Sequence, residues 1–326
     1  MTAGPPPAGA RTGADLVTVV MITHRGAGFV RAALAGLAVQ SAPHRLLVVD
    51  NASTDGTAQL LTSLIPPEQV LTMGENTGFA GGVAAALERV RTPFVALLND
   101  DAVPDREWLA ALLSAAEGDS GAAAWTSLLV LADRPDTVNN IGAALNDKWY
   151  GIDVGAGEPV SKVPHRVLDV FGFCGGAALL RTAAVRAVGG FPAEFFLYYE
   201  DLDTSWRLRR AGWSIRSVPD SVVVHRHAAT TDRRSALFHY YNERNRLLML
   251  IRCAPLSVAP TQFARFLLTT ASLTMSRALR RPVPDEPNFR LGLRLRAVRD
   301  AARMAPGQYR RRRRPVVVRR QPVRVR

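Results

Sequence analysis

The feature that most constrains this fold is an alternation repeated four times in the first hundred residues. Residues 16–22 (LVTVVMI), 45–49 (RLLVV), 70–73 and 94–98 (FVALL) read as short strands. Helical spacing follows at residues 30–39, after Asp55-Gly56-Thr57, and at residues 79–89. Strands this uniformly apolar are buried on both faces, as parallel strands are. Strand and helix in strict alternation indicate an α/β domain with a mostly parallel, Rossmann-like sheet flanked by helices.

Each strand runs into a polar cluster: Thr23, Asp50-Asn51, Asn76 beyond the third strand, and Asn99-Asp100-Asp101. Ligands of such sheets bind beyond the carboxyl ends of the strands. Four polar clusters at one rim are therefore expected to form a site. Adjacent carboxylates at a strand end need a cation or many donors to offset their repulsion and desolvation. A hard divalent ion, Mg²⁺ or Mn²⁺, takes oxygen ligands and leaves positions for substrate phosphates. A capped turn is the alternative, since Asn, Asp and Pro all favour turns.

Three further stretches carry candidate chemistry. Glu200-Asp201-Leu202-Asp203 precedes the helical segment 204–211, with Asp203 read as its N-cap and Gly212 as its stop. Glu200 and Asp201 then lie near the positive end of a helix, where a carboxylate stays ionised and can act as a general base. His225 ends the strand at 221–224 and is either a structural histidine or a third metal ligand; His227 follows it. Residues 75–82 (ENTGFAGG) form a glycine-rich loop opening a helix, without the spacing of a Walker or GxGxxG loop. Residues 133–163 read as a surface excursion, and residues 171–180 (FGFCGGAALL) as a return to the core through Gly175 and Gly176.

In this order, VVMITHR, LLVVDNASTDGT, NTGFAGG, ALLNDDAVPD, the segment 172–213 and VVVHRH resemble the family 2 glycosyltransferases, which have a GT-A fold. The resemblance spans about residues 16–230. It implies a donor site for a nucleoside diphosphate sugar built from Thr23, Asp50, Asn76, Gly78, Asn99, Asp100 and Arg207. Arg207 is assigned to the pyrophosphate and Asp50 to the nucleotide base. It implies Asp101 and His225 as metal ligands, Asp201 as catalytic base, and Gly175, Gly176 and Glu200 on the acceptor side. Asn99 stands where the family's Asp-x-Asp motif has its first acid, as in the rhamnosyltransferase-like branch. The implied reaction is inverting, metal-dependent transfer of rhamnose or a similar sugar to a hydroxyl of a lipid-linked cell-envelope glycan.

Charge sets the remaining expectations. The net charge is +13, but residues 310–326 hold nine arginines and no acid, leaving 13 − 9 = +4 elsewhere. The chain thus divides into a flexible lead (1–15), a catalytic domain (16–232), a C-terminal helical extension (233–305) and an arginine-rich tail (306–326). Residues 256–279 are interrupted by Pro260, Gln262 and Arg265, which suits an interfacial helix better than a membrane span. That helix and the tail together suit peripheral attachment to the anionic inner face of the plasma membrane, with the catalytic domain in the cytoplasm. Two distant cysteines, Cys174 and Cys253, form no disulfide framework. A homo-oligomer is compatible with this organisation. A nucleotide-sugar-binding scaffold without catalysis is one competing reading. A nucleic-acid-binding protein is another, but the tail lacks interleaved aromatics and that reading leaves the acid clusters without a role.

Overall fold

The structure, a computed structural model, describes residues 15–226 and 234–313. Residues 1–14 of the expected lead, His227 and residues 314–326 of the arginine-rich tail lie outside them. The chain opens with β1 (Val17–Thr23), α1 (Val30–Ala38), β2 (Arg45–Asp50), α2 (Thr57–Leu64), β3 (Val70–Thr72), α3 (Gly78–Arg89) and β4 (Phe94–Asn99), the expected alternation. β1 pairs in parallel with β2 and β4, and β2 with β3. All seven residues of β1 are buried, which is why its run is apolar on both faces.

The second half turns the sheet mixed. β5 (Ala102–Pro104), α4 (Trp108–Gly118) and β6 (Ala122–Leu131) follow β4; then come β7 (Arg134–Asn140), β8 (Ala143–Leu145), β9 (Gly151–Asp153) and β10 (Leu168–Asp169). β11 (Ala177–Arg181) runs antiparallel between β4 and β6. The main path runs β10-β12-β6-β11-β4-β1-β2-β3, where β12 is Ser214–His225. Strand β12 is far longer than the four residues its apolar run suggests, and β6 begins Ala-Ala-Ala-Trp with no β-branched signal. Excursion 133–163 is ordered here into β7 and the β8–β9 hairpin.

Alternate residues of the central strands feed two apolar layers. Val95 and Leu97 of β4 join a cluster with Val83, Phe173 and Leu180. Ala96 and Leu98 join the opposite one, with Trp108, Leu112 and Trp125. The period of two is the pleat itself.

α5 (Thr182–Ala187) and α6 (Glu200–Arg210) precede β12, and the chain continues as α7 (Ala236–Cys253), α8 (Val258–Ala278) and α9 (Leu291–Arg312). Glu200 and Asp201 occupy the first turn of α6 rather than preceding it, and Tyr199 is the N-cap. Asp203 is therefore inside the helix, correcting the N-cap reading. It is fully buried and holds two guanidinium groups, Arg207 Nε at 2.7 Å and Arg252 Nη1 at 3.2 Å. This pairing binds α6 to α7. Removing one partner from a buried ion pair leaves uncompensated charge, at about 3–5 kcal/mol. Asp203→Ala, which strands both arginines, is thus expected to lower unfolding free energy by about that amount in urea titration; an unchanged midpoint contradicts the network's role.

Candidate functional site

The carboxyl ends of β1, β2 and β4 open onto a cavity of about 680 Å³. Asn76, Gly78, Asn99, Asp100, Asp101, Gly175, Gly176, Glu200, Asp201 and His225 all line it. A second cavity of about 510 Å³ lies toward β7–β9 and α7, and shares Asn99, Asp101, Cys174, Tyr198, Glu200, Asp201 and His225 with the first. The two chambers meet at the acids and the histidine.

The adjacent aspartates point to different partners. Asp100 Oδ2 accepts a 2.6 Å hydrogen bond from Thr23 Oγ1, which places Thr23 behind the cavity wall. Burial pushes the Asp100 pKa up to about 6 against that hydrogen bond, with repulsion from Asp101 adding to the rise. Asp101 Oδ1 instead lies 3.1 Å from His225 Nε2, and both residues are buried. β5 and β12 create this contact, because His225 is in register with Ala102. Two cis ligands at about 2.1 Å from a small divalent ion stand about 3 Å apart, so the Asp101–His225 separation fits Mg²⁺ or Mn²⁺. Among the described residues no third His, Cys, Asp or Glu joins them. Asp101 and His225 would hold such a cation and leave room for phosphate oxygens. Asn99 Nδ2 lies 3.5 Å from His225 Nε2 and contributes no charge.

On the opposite wall, Asp201 Oδ2 accepts from Gly175 N at 3.2 Å and its Oδ1 from Leu202 N at 2.7 Å. Burial nevertheless pushes its pKa up to about 6, with Asp153 repelling the charge further. Glu200 is buried beside it, and among the described residues its Oε2 has no hydrogen-bond partner. Burial and the Asp201 charge drive the Glu200 carboxyl well above its usual range, favouring the neutral acid. Asp201 is thus the acid of this pair better suited to ionise near neutrality and receive a proton.

The loop before α6 is strained: Phe196, Tyr198 and Tyr199 all have φ near +68° (69°, 67° and 68°). Asn245 of α7 holds it, with Nδ2 near the carbonyls of Phe195, Leu197 and Tyr198 at 2.9, 2.7 and 2.8 Å. Arg244 donates to Glu194 O and Phe195 O. At Gly78 (φ +69°) a Cβ would stand 2.2 Å from Phe196 O, so glycine lets the donor-side loop pack against this strained turn.

Besides Thr23, two more expected donor residues lie outside the cavity lining. Arg207 is buried against Asp203, Val188 O and Thr204 Oγ1, which corrects its assignment to pyrophosphate. Among the described residues, Arg25 is the arginine lining the first cavity. Asp50 is buried, accepts from Ser53 N at 3.1 Å and lines neither cavity. Its neighbour Asn51 lines the first cavity and ties β2 to α3 through Thr77 N and Gly78 O. Asn51, Arg25, Asn139, Asp153 and Asn245 went unassigned in the sequence; only Asn51, next to Asp50 at a strand end, carried a local signal.

The profile described as Glycosyl transferase family 2 matches residues 18–144, and that of Glycosyl transferase family group 2 matches residues 94–278. The chain is 28% identical over 256 residues to an N-acetylglucosaminyl-diphospho-decaprenol L-rhamnosyltransferase of Mycobacterium tuberculosis, covering 68% of this chain and 80% of the relative. Its structure is similar to that of GalNAc-T7 with UDP, GalNAc and Mn²⁺ (TM-score 0.60, 12% identity), covering 73% of this chain and 48%, about half, of that one. It is also similar to a mannosyltransferase of Pyrobaculum calidifontis in complex with GDP-Man and Mn²⁺ (TM-score 0.50, 18% identity), covering 89% and 86% of the two chains. The shared architecture is the GT-A fold.

The Thr23–Asp100 contact yields a test. The Thr23 hydroxyl stabilises the Asp100 carboxylate, so Thr23→Val is expected to raise that pKa above about 6. Side-chain carboxyl ¹³C NMR titration reads the shift; a downward or absent shift contradicts the assignment.

Proposed function

The chain belongs to the family 2 glycosyltransferases, and on that premise we propose that it moves rhamnose or a similar sugar, with inversion, from a nucleoside diphosphate sugar to a hydroxyl of a lipid-linked cell-envelope glycan. The observation that carries this reading is the meeting of two cavities between Asp101–His225 and Asp201. The first cavity takes the donor, with Asn76, Asn99, Asp100 and Arg25 facing it; the second takes the acceptor.

Asp101 and His225 would hold the divalent cation, Mg²⁺ or Mn²⁺, which when bound offsets the charge on the diphosphate leaving group. Asp201 removes the proton from the acceptor hydroxyl. The freed oxygen bonds to the anomeric carbon from the face opposite the diphosphate, and the bond to that group breaks with its electron pair. Glu200, as a neutral neighbour, leaves the Asp201 charge uncontested. The acceptor class draws support from the mycobacterial relative, whose name specifies a diphospho-decaprenol acceptor.

A membrane surface is part of the same proposal. Leu268, Met275 and Leu279 form an exposed stripe at helical spacing along and just beyond α8, with exposed Arg265, Arg277, Arg280 and Arg281 nearby. Among the described residues no helix is long and apolar enough to cross a membrane. An apolar stripe flanked by cations suits the interface of an anionic leaflet.

The base assignment has two expected consequences. Asp201→Asn is expected to lower kcat by about 10²–10⁴-fold while donor binding, read by thermal shift with Mn²⁺ and nucleoside diphosphate sugars, persists. A carboxylate base must be ionised, so wild-type turnover is expected to fall as pH drops through about 6. Normal turnover in Asp201→Asn removes Asp201 as the base.

A further inference from the structure

The acceptor-side cavity takes its apolar walls from three elements: Ile152 of β9, Tyr198 of the strained loop and Phe238 of α7. The Phe238 and Tyr198 rings meet edge to face at 5.0 Å. Carboxyl groups of Asp101, Asp153, Glu200 and Asp201 line it too, and among the described residues no Lys or Arg does. Arg25 lies in the first cavity instead. A lining of that charge disfavours an anionic ligand. Small-molecule sites pair apolar walls with a few placed polar groups. An uncharged sugar suits such a chamber, since its C–H faces are apolar and its rim carries hydroxyls.

Four asparagines line the same cavity, and three of them face protein partners. Asn99 Nδ2 and Asn139 Oδ1 stand 3.5 and 2.7 Å from the two nitrogens of His225. Asn140 is anchored at both ends of its amide: Oδ1 accepts from Gly142 N at 2.6 Å, and Nδ2 donates to Asp153 Oδ1 at 2.7 Å. The Asn242 side chain differs. It stands half-buried on the cavity wall, and among the described residues it meets no hydrogen-bond partner. Phe238 precedes it by four residues, so one face of α7 presents a ring and a spare amide to the chamber. That face is fixed relative to the base. Asn245 and Arg244 tie α7 to the loop that leads into Asp201. Opposite, Gly151 N donates to Tyr199 Oη at 3.0 Å and holds the hairpin bearing Ile152 to the end of that loop.

We propose that Asn242 binds the acceptor directly. Its amide hydrogen-bonds a hydroxyl or acetamido group of an uncharged sugar seated between Phe238 and Ile152, and a charged link to a lipid stays outside the chamber. The inference deepens the proposed transfer and rests on it for naming that sugar the acceptor; the sugar subsite itself does not. An amide offers two N–H donors and an acceptor oxygen, so it can meet a hydroxyl in either sense. Seating the sugar against α7 also sets the direction from which its reacting hydroxyl reaches Asp201. Loss of one hydrogen bond between neutral groups weakens binding by about 3–10-fold.

The test uses the full chain with the neutral methyl glycosides of glucose, galactose, mannose, rhamnose and N-acetylglucosamine, each paired with its sugar 1-phosphate as the anionic probe. ¹H–¹⁵N NMR follows the Asn242 side-chain amide, assigned by its loss in Asn242→Asp. Ligand-observed saturation-transfer NMR gives affinities in wild type, Asn242→Leu and Asn242→Ala, with melting transitions to show that the variants fold. Expected is a saturable shift of the Asn242 signal by at least one neutral glycoside. Binding of that glycoside is expected to weaken by about 3–10-fold in both variants, and its 1-phosphate to engage the amide no more tightly. No shift with any glycoside, wild-type affinity in the folded variants, or tighter engagement by the 1-phosphate overturns the proposal. Thermal shift of wild type with Mn²⁺ and nucleoside diphosphates tests the transferase reading separately. If none of these binds while a glycoside still engages Asn242, that reading falls and the sugar subsite stands.

Discussion

The site depends on a backbone that does not hold itself. Three non-glycine residues with positive φ, at 196, 198 and 199, lead into α6 and aim its first turn at the cavity. Such conformations cost on the order of 1–3 kcal/mol each and persist only where surroundings over-determine them. Asn245 supplies that constraint through three carbonyls, and Arg244 adds two more contacts. Both come from α7, which also shares the buried Asp203–Arg252 pair with α6. The C-terminal helices are therefore part of what places Asp201.

A second constraint is the separation of two adjacent carboxylates. Asp100 and Asp101 cannot share one partner without repelling each other in a desolvated site. Thr23 takes Asp100 on one side of the strand end, and His225 meets Asp101 on the other. Asp100 is tied back to β1, while Asp101 faces His225 across the junction. The pattern differs at Glu200-Asp201, where two backbone N–H groups serve Asp201 and, among the described residues, a buried Glu200 oxygen meets no donor. Each acid pair is divided by hydrogen-bond supply into one member suited to chemistry and one that supports it.

The half of the fold built from local signals was legible. β1 to β4 and the helices between them follow from apolar runs with polar ends, and the rim acids follow from those ends. The other half depends on pairing. β6 has a weak local signature because its burial comes from β11 and β12 on either side. Arg207 resembled a phosphate ligand by position, but its spacing of four from Asp203 closes an ion pair within the helix. Asn139 and Asn245 act across 86 and about 50 residues of sequence, so no local pattern announces them. Asp203 shows the same limit at short range: an acid near a helix start resembles a cap until the arginines reaching it from two helices are seen.

In the proposed reading, one base between a donor chamber and an acceptor chamber implies a single displacement. The most direct measurement is the anomeric configuration of the first-formed product, read by ¹H NMR during turnover with the donor sugar that the chain accepts. The account predicts a configuration opposite to that of the donor. A product that keeps the donor's configuration would contradict it.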